Sequence, residues 1–264
     1  MRLRSGRQIL LVLLAGALVA SGCGGTDDDK PPSGKPDTIV AGKLRVGSDI
    51  PYVPFEFGQA PYRGFDVDIV REIGKRIDLE PRFVATPFDP IFRNLARGRF
   101  DMVASAATIS PELKKVVDFS DPYLPADQSL VVKQGSDIAS TDDLAGKIVG
   151  AQVGTAGADY ATDRVDAKSV RNYDLIDDAF KALHAGQIDA VIHDFPRSRY
   201  EDLRSKDLTV VQTVGTGKQY GLAFNKDSRS LRLKVNQALS EMKRDGAYAK
   251  IYKKWFRSNP PGNS

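Results

Sequence analysis

Apolar positions between residues 43 and 256 switch between the strand and helix periods, which predicts short strands alternating with helices. Lys43–Gly47 is a strand-like run, followed by a proline-rich loop over Pro51–Phe57. Ile69, Val70, Ile73 and Ile77 share one helical face, with Arg71, Glu72 and Lys75 off it, predicting a helix Phe65–Ile77. Asp66 and Asp68 fall in its first turn, where carboxylates suit the positive end of the helix dipole. Strands are predicted at Pro81–Ala85 and Met102–Ala106, with a helix Ile91–Leu95 ending near Gly98 between them.

The second half repeats this rhythm. Strands are predicted at Ser129–Lys133, Ile148–Ala151, Ala190–His193, Leu208–Thr213 and Gly221–Asn225. A helix opens at Thr141 under a Thr cap, and others are predicted at Gly157–Arg164, Ile176–His184 and Phe195–Leu203. Leu231–Met242 and Ala247–Phe256 complete the set. Such alternation predicts an α/β fold with mostly parallel sheets and ligands at the C-terminal ends of strands.

At the N-terminus the pattern is different. Arg2, Arg4 and Arg7 precede an apolar run, Ile9–Ala20, and then Ser21, Gly22 and Cys23. A basic start, an apolar stretch and small residues before a cut site describe a secretory signal. The run is shorter than the ~20 apolar residues that span a bilayer. Ala20-Ser21-Gly22-Cys23 resembles a bacterial lipoprotein box, which implies a signal peptide over residues 1–22 and lipidation of Cys23. Multiple acyl chains hold a membrane stably, at ~0.8 kcal/mol per buried CH₂. Residues 23–42 read as the lipidated N-terminus and a flexible tether, rich in Gly, Pro and charge. Its stretch Gly24–Asp37, as a coil, would hold the fold roughly 20 Å from the membrane. Residues 259–264 read as a disordered tail.

Composition narrows the chemistry. At 264 residues, with 41% apolar and 27% charged side chains, the chain is neither disordered, collagenous nor a polytopic membrane protein. A single Cys excludes a disulfide framework and CxxC sites, and two His with no HExxH leave little for zinc. The formal charge of +4 includes Arg2, Arg4 and Arg7; without residues 1–22 there are 35 basic and 34 acidic side chains. Nucleic-acid binding then lacks its electrostatic basis. No phosphate-binding GxxxxGK[ST] and no GxSxG occur, and Gly150, Gly154 and Gly157 have the wrong spacing for a dinucleotide fingerprint. Asp66 and Asp68 make a poor acid–base pair, because carboxylates at i and i+2 point to different faces. No cofactor and no metal are expected, and the remainder suits a binding protein.

Specific motifs carry a family resemblance. Gly64-Phe65-Asp66-Val67-Asp68-Ile69-Val70, followed by Ile73, Gly74 and Ile77, resembles the signature of bacterial extracellular solute-binding proteins, family 3. These are receptors of polar amino acid ABC importers. The likeness continues through Val53–Phe57, Asp118–Asp121, Ala190–Asp194, Gln219–Phe224 and Ile251–Phe256, and so covers Lys43–Phe256 in order. Within the family the chain is most similar to the glutamine receptors, notably in Gly47-Ser48-Asp49 and His193-Asp194. The resemblance implies a two-lobed periplasmic-binding-protein fold of type II. Lobe 1 would comprise 43–122 and 221–258, and lobe 2 would comprise 128–215. Crossovers at 123–127 and 216–220 would act as the hinge, with ligand in the interlobe cleft. It further implies a monomer outside the cytoplasmic membrane, lipid-anchored, that takes a small polar amino-containing ligand and docks on an ABC permease. An enzyme is not expected; the alternative on this fold is a cyclohexadienyl dehydratase-like activity.

Site residues follow position by position. Asp49 matches a carboxylate touching the ligand side chain, and Tyr52 and Phe88 match aromatics that sandwich its aliphatic part. Ala106 and Thr108 match positions offering backbone groups and a hydroxyl. Gln152 stands where the glutamine receptors have Lys, and Thr155 stands at a helix N-terminus facing the cleft. Asp194 matches the carboxylate that pairs with the ligand ammonium, with His193 beside it. Structural alternatives stay open: Tyr52 and Phe88 as core aromatics, His193 as a satisfied buried histidine, Thr155 as a helix cap, and Asp194 as a cap ahead of Pro196. In Ser110–Lys115 the family usually has an Arg for the ligand α-carboxylate, and Leu113 stands there. Lys114, the next residue, is rotated by about 100° on a helix and does not replace a bidentate guanidinium.

Overall fold

The computed structural model describes residue 34, residues 36–257 and residues 259–260. The segment 1–22 expected as a signal peptide, Cys23 and most of the expected tether lie outside the described residues. In chain order the first half comprises β1 (Lys43–Ser48), α1 (Phe65–Ile77), β2 (Glu80–Ala85), α2 (Phe88–Ala96), β3 (Met102–Val103), α3 (Pro111–Val116), β4 (Asp118–Phe119) and β5 (Leu124–Pro125). There follow β6 (Gln128–Lys133), a 3₁₀ turn (Thr141–Leu144), β7 (Ile148–Gln152), α4 (Ala156–Arg164), β8 (Ser169–Tyr173), α5 (Ile176–His184), β9 (Ala190–Asp194), α6 (Phe195–Arg204) and β10 (Leu208–Val214). The chain then returns through β11 (Gln219–Tyr220) and β12 (Ala223–Phe224) to α7 (Arg229–Arg244) and α8 (Ala247–Phe256).

Two five-stranded sheets result, in the orders β2-β1-β3-β12-β4 and β10-β6-β9-β7-β8. β5 and β11, where the chain leaves the first sheet and comes back, pair antiparallel as a two-stranded ribbon. Both sheets are mixed rather than mostly parallel. β1 runs parallel to β2 and β3, but β12 is antiparallel to β3 and β4. β7 is parallel to β8 and β9, but β6 is antiparallel to β9 and β10. The cause is the double crossing: β12 and β6 enter their sheets from the ribbon, not from a preceding βα unit.

α1 forms over the residues its pattern predicts. Phe65, Ile69, Val70 and Ile73 are buried on one side, and Asp78 ends the helix in the left-handed conformation, its N–H bonded to Gly74 O. α2 begins at Phe88, ahead of the expected Ile91, because Pro90 sits in the first turn, where it costs no helical hydrogen bond. The strand expected over Met102–Ala106 stops at Val103, since Ala106 takes a positive φ of 43° and turns the chain away. Thr141 does not cap a helix; Ser140 caps a single 3₁₀ turn through a capping box with Asp143. The strand expected over Gly221–Asn225 shortens to β12. Within the expected tail, Pro260 is buried and lines a groove with Tyr123, Leu124 and Tyr248.

An aromatic cluster supports the loop after β1. Phe55 packs edge-on to Phe65 at 6.1 Å and to Tyr220 at 5.7 Å, and Phe65 meets Phe256 at 5.0 Å. Such pairs contribute about 0.5–1.5 kcal/mol each beyond burial. They tie the loop to α1, α8 and the ribbon strand β11.

Candidate functional site

The first sheet presents the loop after β1, the start of α2 and the chain after β3 to one cleft. The second presents the ends of β7 and β9 and the start of α4. Tyr52, Phe88, Ser105, Ala106, Gln152, Thr155, His193 and Asp194 line a cavity of about 10 Å³ there, room for about one water molecule. Residues from both lobes therefore share one small space. Among the described residues, no group of three or more His, Cys, Asp or Glu is placed to hold a metal.

On the first lobe, Tyr52 is buried and stacks on Phe55 at 5.5 Å, so the aromatic cluster beneath sets its ring. Phe88, on the first turn of α2, packs edge-on to Phe92 at 5.3 Å. Ser105 donates its hydroxyl to Glu56 at 2.6 Å and accepts from the Asp49 N–H at 2.9 Å. Burial first, then the neighbouring Asp66 charge, holds the Glu56 carboxyl well above its ordinary range. Asp66 does more than complement the helix dipole. It is fully buried, accepts from Ala106 N–H at 2.8 Å and from the Tyr123 hydroxyl at 2.9 Å, and so holds Ala106 in its left-handed conformation.

On the second lobe, Asp194 ends β9. It precedes α6 but makes no side-chain cap bond. Its carboxylate instead accepts from Gln128 Nε2 at 2.5 Å and from the Tyr52 hydroxyl at 3.3 Å. Burial raises its pKa to about 6, against the lowering pull of the Gln128, Tyr220 and Tyr52 hydrogen bonds and of Lys218. Burial likewise pushes His193 down to about 3, helped by the Arg197 charge, so the imidazole is neutral. Thr155 does cap α4: its Oγ1 accepts from Ala158 N–H at 3.2 Å and donates to Gln152 O at 2.8 Å. Its methyl face is what it has left for the cavity wall.

Among the described residues, hydrogen bonds from Tyr52 and Gln152 cross between the lobes. Tyr52 Oη lies 2.9 Å from His193 Nε2 and also reaches Asp194, and Gln152 Nε2 donates to Asp49 Oδ2 at 2.9 Å. Asp49 does not line the cavity itself; it sits one hydrogen bond behind Gln152, and burial raises its pKa to about 6. Thr108 is also away from the cavity, its backbone bridged to Tyr220. Leu113 packs with the apolar cluster of Phe88, Ile91 and Phe119, and no basic side chain takes its place on the cavity wall. Ser105, Gln128 and Glu56 carry no local sequence signal, because each acquires its role from a partner distant in the chain.

The sequence model for bacterial extracellular solute-binding proteins, family 3, matches residues 44–258. The L-cystine-binding protein TcyJ of Escherichia coli (strain K12) is 33% identical over 258 residues, covering 95% of this chain and 96% of the relative. The ABC transporter glutamine-binding protein GlnH of Bacillus subtilis (strain 168) is 31% identical over 265 residues, covering 96% and 97%. Among solved structures, an ancestral arginine-binding protein bound to arginine superposes with a TM-score of 0.76 at 39% identity, over 81% of this chain and 98% of that one. The ancestral amino acid-binding protein AncCDT-1, a precursor of cyclohexadienyl dehydratase, gives 0.77 at 37% identity, over 81% and 96%. That neighbour on the dehydratase lineage is itself described as a binding protein.

Proposed function

The chain belongs to the bacterial extracellular solute-binding proteins, family 3, and on that footing we propose that it is the lipid-anchored receptor of an ABC importer for amino acids or related small polar amines. The observation that carries this reading is the buried cavity walled by both lobes, with Asp194 as its one charged lining residue. A carboxylate buried among neutral walls favours a ligand that brings positive charge. Lobe 1 is assigned to 43–122 with 221–258, lobe 2 to 128–215, and the hinge to 123–127 and 216–220. Ligand shifts the balance between open and closed states, and the closed form is what a permease outside the cytoplasm would receive. Tyr52, Phe88, Ala106, Gln152, Thr155, His193 and Asp194 are assigned as the contact shell, Asp49 and Thr108 as its support, and Cys23 as the lipidated residue.

Two measurements test the reading. A thermal-shift screen of amino acids and small amines should identify a stabilising ligand, since binding at 100 times Kd contributes about 2.7 kcal/mol. With that ligand saturating, small-angle scattering should give a smaller radius of gyration than the ligand-free chain. An unchanged radius, with binding verified by calorimetry, would remove the hinge assignment. The anchor is tested separately: Cys23→Ser should abolish palmitate incorporation in cells. Equal labelling of variant and parent would sink it.

A further inference from the structure

The charges buried around the cleft are unbalanced. Asp49, Glu56, Asp66 and Asp194 are 3%, 0%, 0% and 5% exposed. Among the described residues the one buried cationic side chain is Arg197, and it is already engaged. Its Nη2 bonds Asp177 at 2.6 Å, its Nη1 bonds Glu201 at 3.0 Å, and its guanidinium lies 4.8 Å over the Phe180 ring. Asp66 is engaged by Ala106 and Tyr123, and Glu56 by Ser105 through Oε1 alone; none of Asp49, Glu56 and Asp66 lines the cavity, but Asp194 does and Asp49 lies one hydrogen bond behind its wall residue Gln152.

The neutral groups on the wall also call for donors. Because the Tyr52 hydroxyl donates to Asp194, its oxygen accepts from His193 Nε2–H. That tautomer leaves Nδ1 of the neutral ring as a bare acceptor, and Nδ1 is buried with no protein partner. At the other edge, the Gln152 amide occupies the donor position beside Asp49. Between the two edges the Tyr52 and Phe88 rings supply apolar wall. A ligand carboxylate here would meet acids and a lone pair, with no cationic side chain lining the cavity to receive it.

We infer that the ligand is a small α,ω-diamine without a carboxylate, one ammonium between Asp194 and His193 Nδ1 and the other at Asp49 in place of the Gln152 amide. Its methylene chain lies against Tyr52 and Phe88, where ammonium-bearing chains also gain cation–π contact. This rests on the receptor reading above and specifies its substrate class.

Calorimetry on the purified full chain tests it with matched probes: cadaverine against lysine, putrescine against ornithine, and pentylamine as the monoamine. The better diamine should bind roughly tenfold or more tighter than its amino acid counterpart and than pentylamine. Asp49→Asn, an isosteric change, should erase most of the diamine's advantage over pentylamine. Lysine or ornithine binding as tightly as its diamine would overturn the inference and leave the receptor reading standing. So would a monoamine that matches the diamine, or an Asp49→Asn variant that keeps the full diamine preference. If no probe and no standard amino acid binds, the inference and the receptor reading fall together.

Discussion

Gly64→Ala is expected to destabilise the fold by about 3–5 kcal/mol, read as a drop in the denaturant midpoint at unchanged slope. Gly64 holds φ 146° and ψ 173°, a region open essentially to glycine alone. A Cβ there would also lie 1.9 Å from the backbone carbonyl oxygen of Phe55. Neither atom belongs to a flexible side chain, so relief requires moving the loop that carries Tyr52 or shifting the start of α1. Phe65 N–H to Pro54 O and Asp66 N–H to Phe55 O, at 2.9 and 3.0 Å, tie those two segments together. Ligand affinity should therefore fall along with stability. Gly98→Ala is the control: its φ is 71°, but nothing lies within 4 Å of the added Cβ. That change should cost only the left-handed penalty, ~1–2 kcal/mol. Equal losses for the two variants would show that backbone conformation, not close approach, governs Gly64.

That glycine marks the limit of what the sequence discloses. The bounds of α1 were legible because a break at Gly64 is followed by apolar residues at helical spacing, and the same holds for α5 and α8. The cavity residues Tyr52, Phe88, Ala106, Gln152, Thr155, His193 and Asp194 came from the family likeness, since periodicity treats them as ordinary core or cap positions. Helical pattern could place Asp66 in a first turn but not beneath Ala106, 40 residues on. Ser105 meets Glu56 across 49 residues and Gln128 meets Asp194 across 66, so neither role leaves a local trace. The mixed sheets were missed for a similar reason. Alternating elements look alike whether a strand enters from a βα unit or from the ribbon of β5 and β11.

Asp194→Ala is expected to weaken ligand binding by roughly 2–5 kcal/mol, because a ligand ammonium would be left buried without its carboxylate. Gln128 and Tyr52 lose their acceptor as well, at 2.5 and 3.3 Å, so folding is followed in the same samples by circular dichroism. The wild-type chain should show the matching pH dependence. Asp194 and Asp49 both have folded pKa values raised to about 6 from 3.8, chiefly by burial. Around Asp194 stand Gln128, Tyr52, Tyr220 and the Lys218 charge; around Asp49 stand Gln152 and the Asp177 charge. A raised carboxylate pKa means that the folded state binds more protons than the unfolded chain between those values. Stability from these groups is therefore greatest below about pH 4 and declines as pH rises through 6. Cation binding runs the other way: it needs both carboxylates ionised, so affinity should rise with pH up to about 6 and level off above it. Titrations at pH 5 in buffers of different ionisation enthalpy should reveal protons released on binding. In Asp194→Ala the pH dependence should shrink together with the affinity. A variant that retains affinity within a factor of about two, or a parent whose affinity is flat between pH 5 and 7, would remove Asp194 as the ammonium's partner.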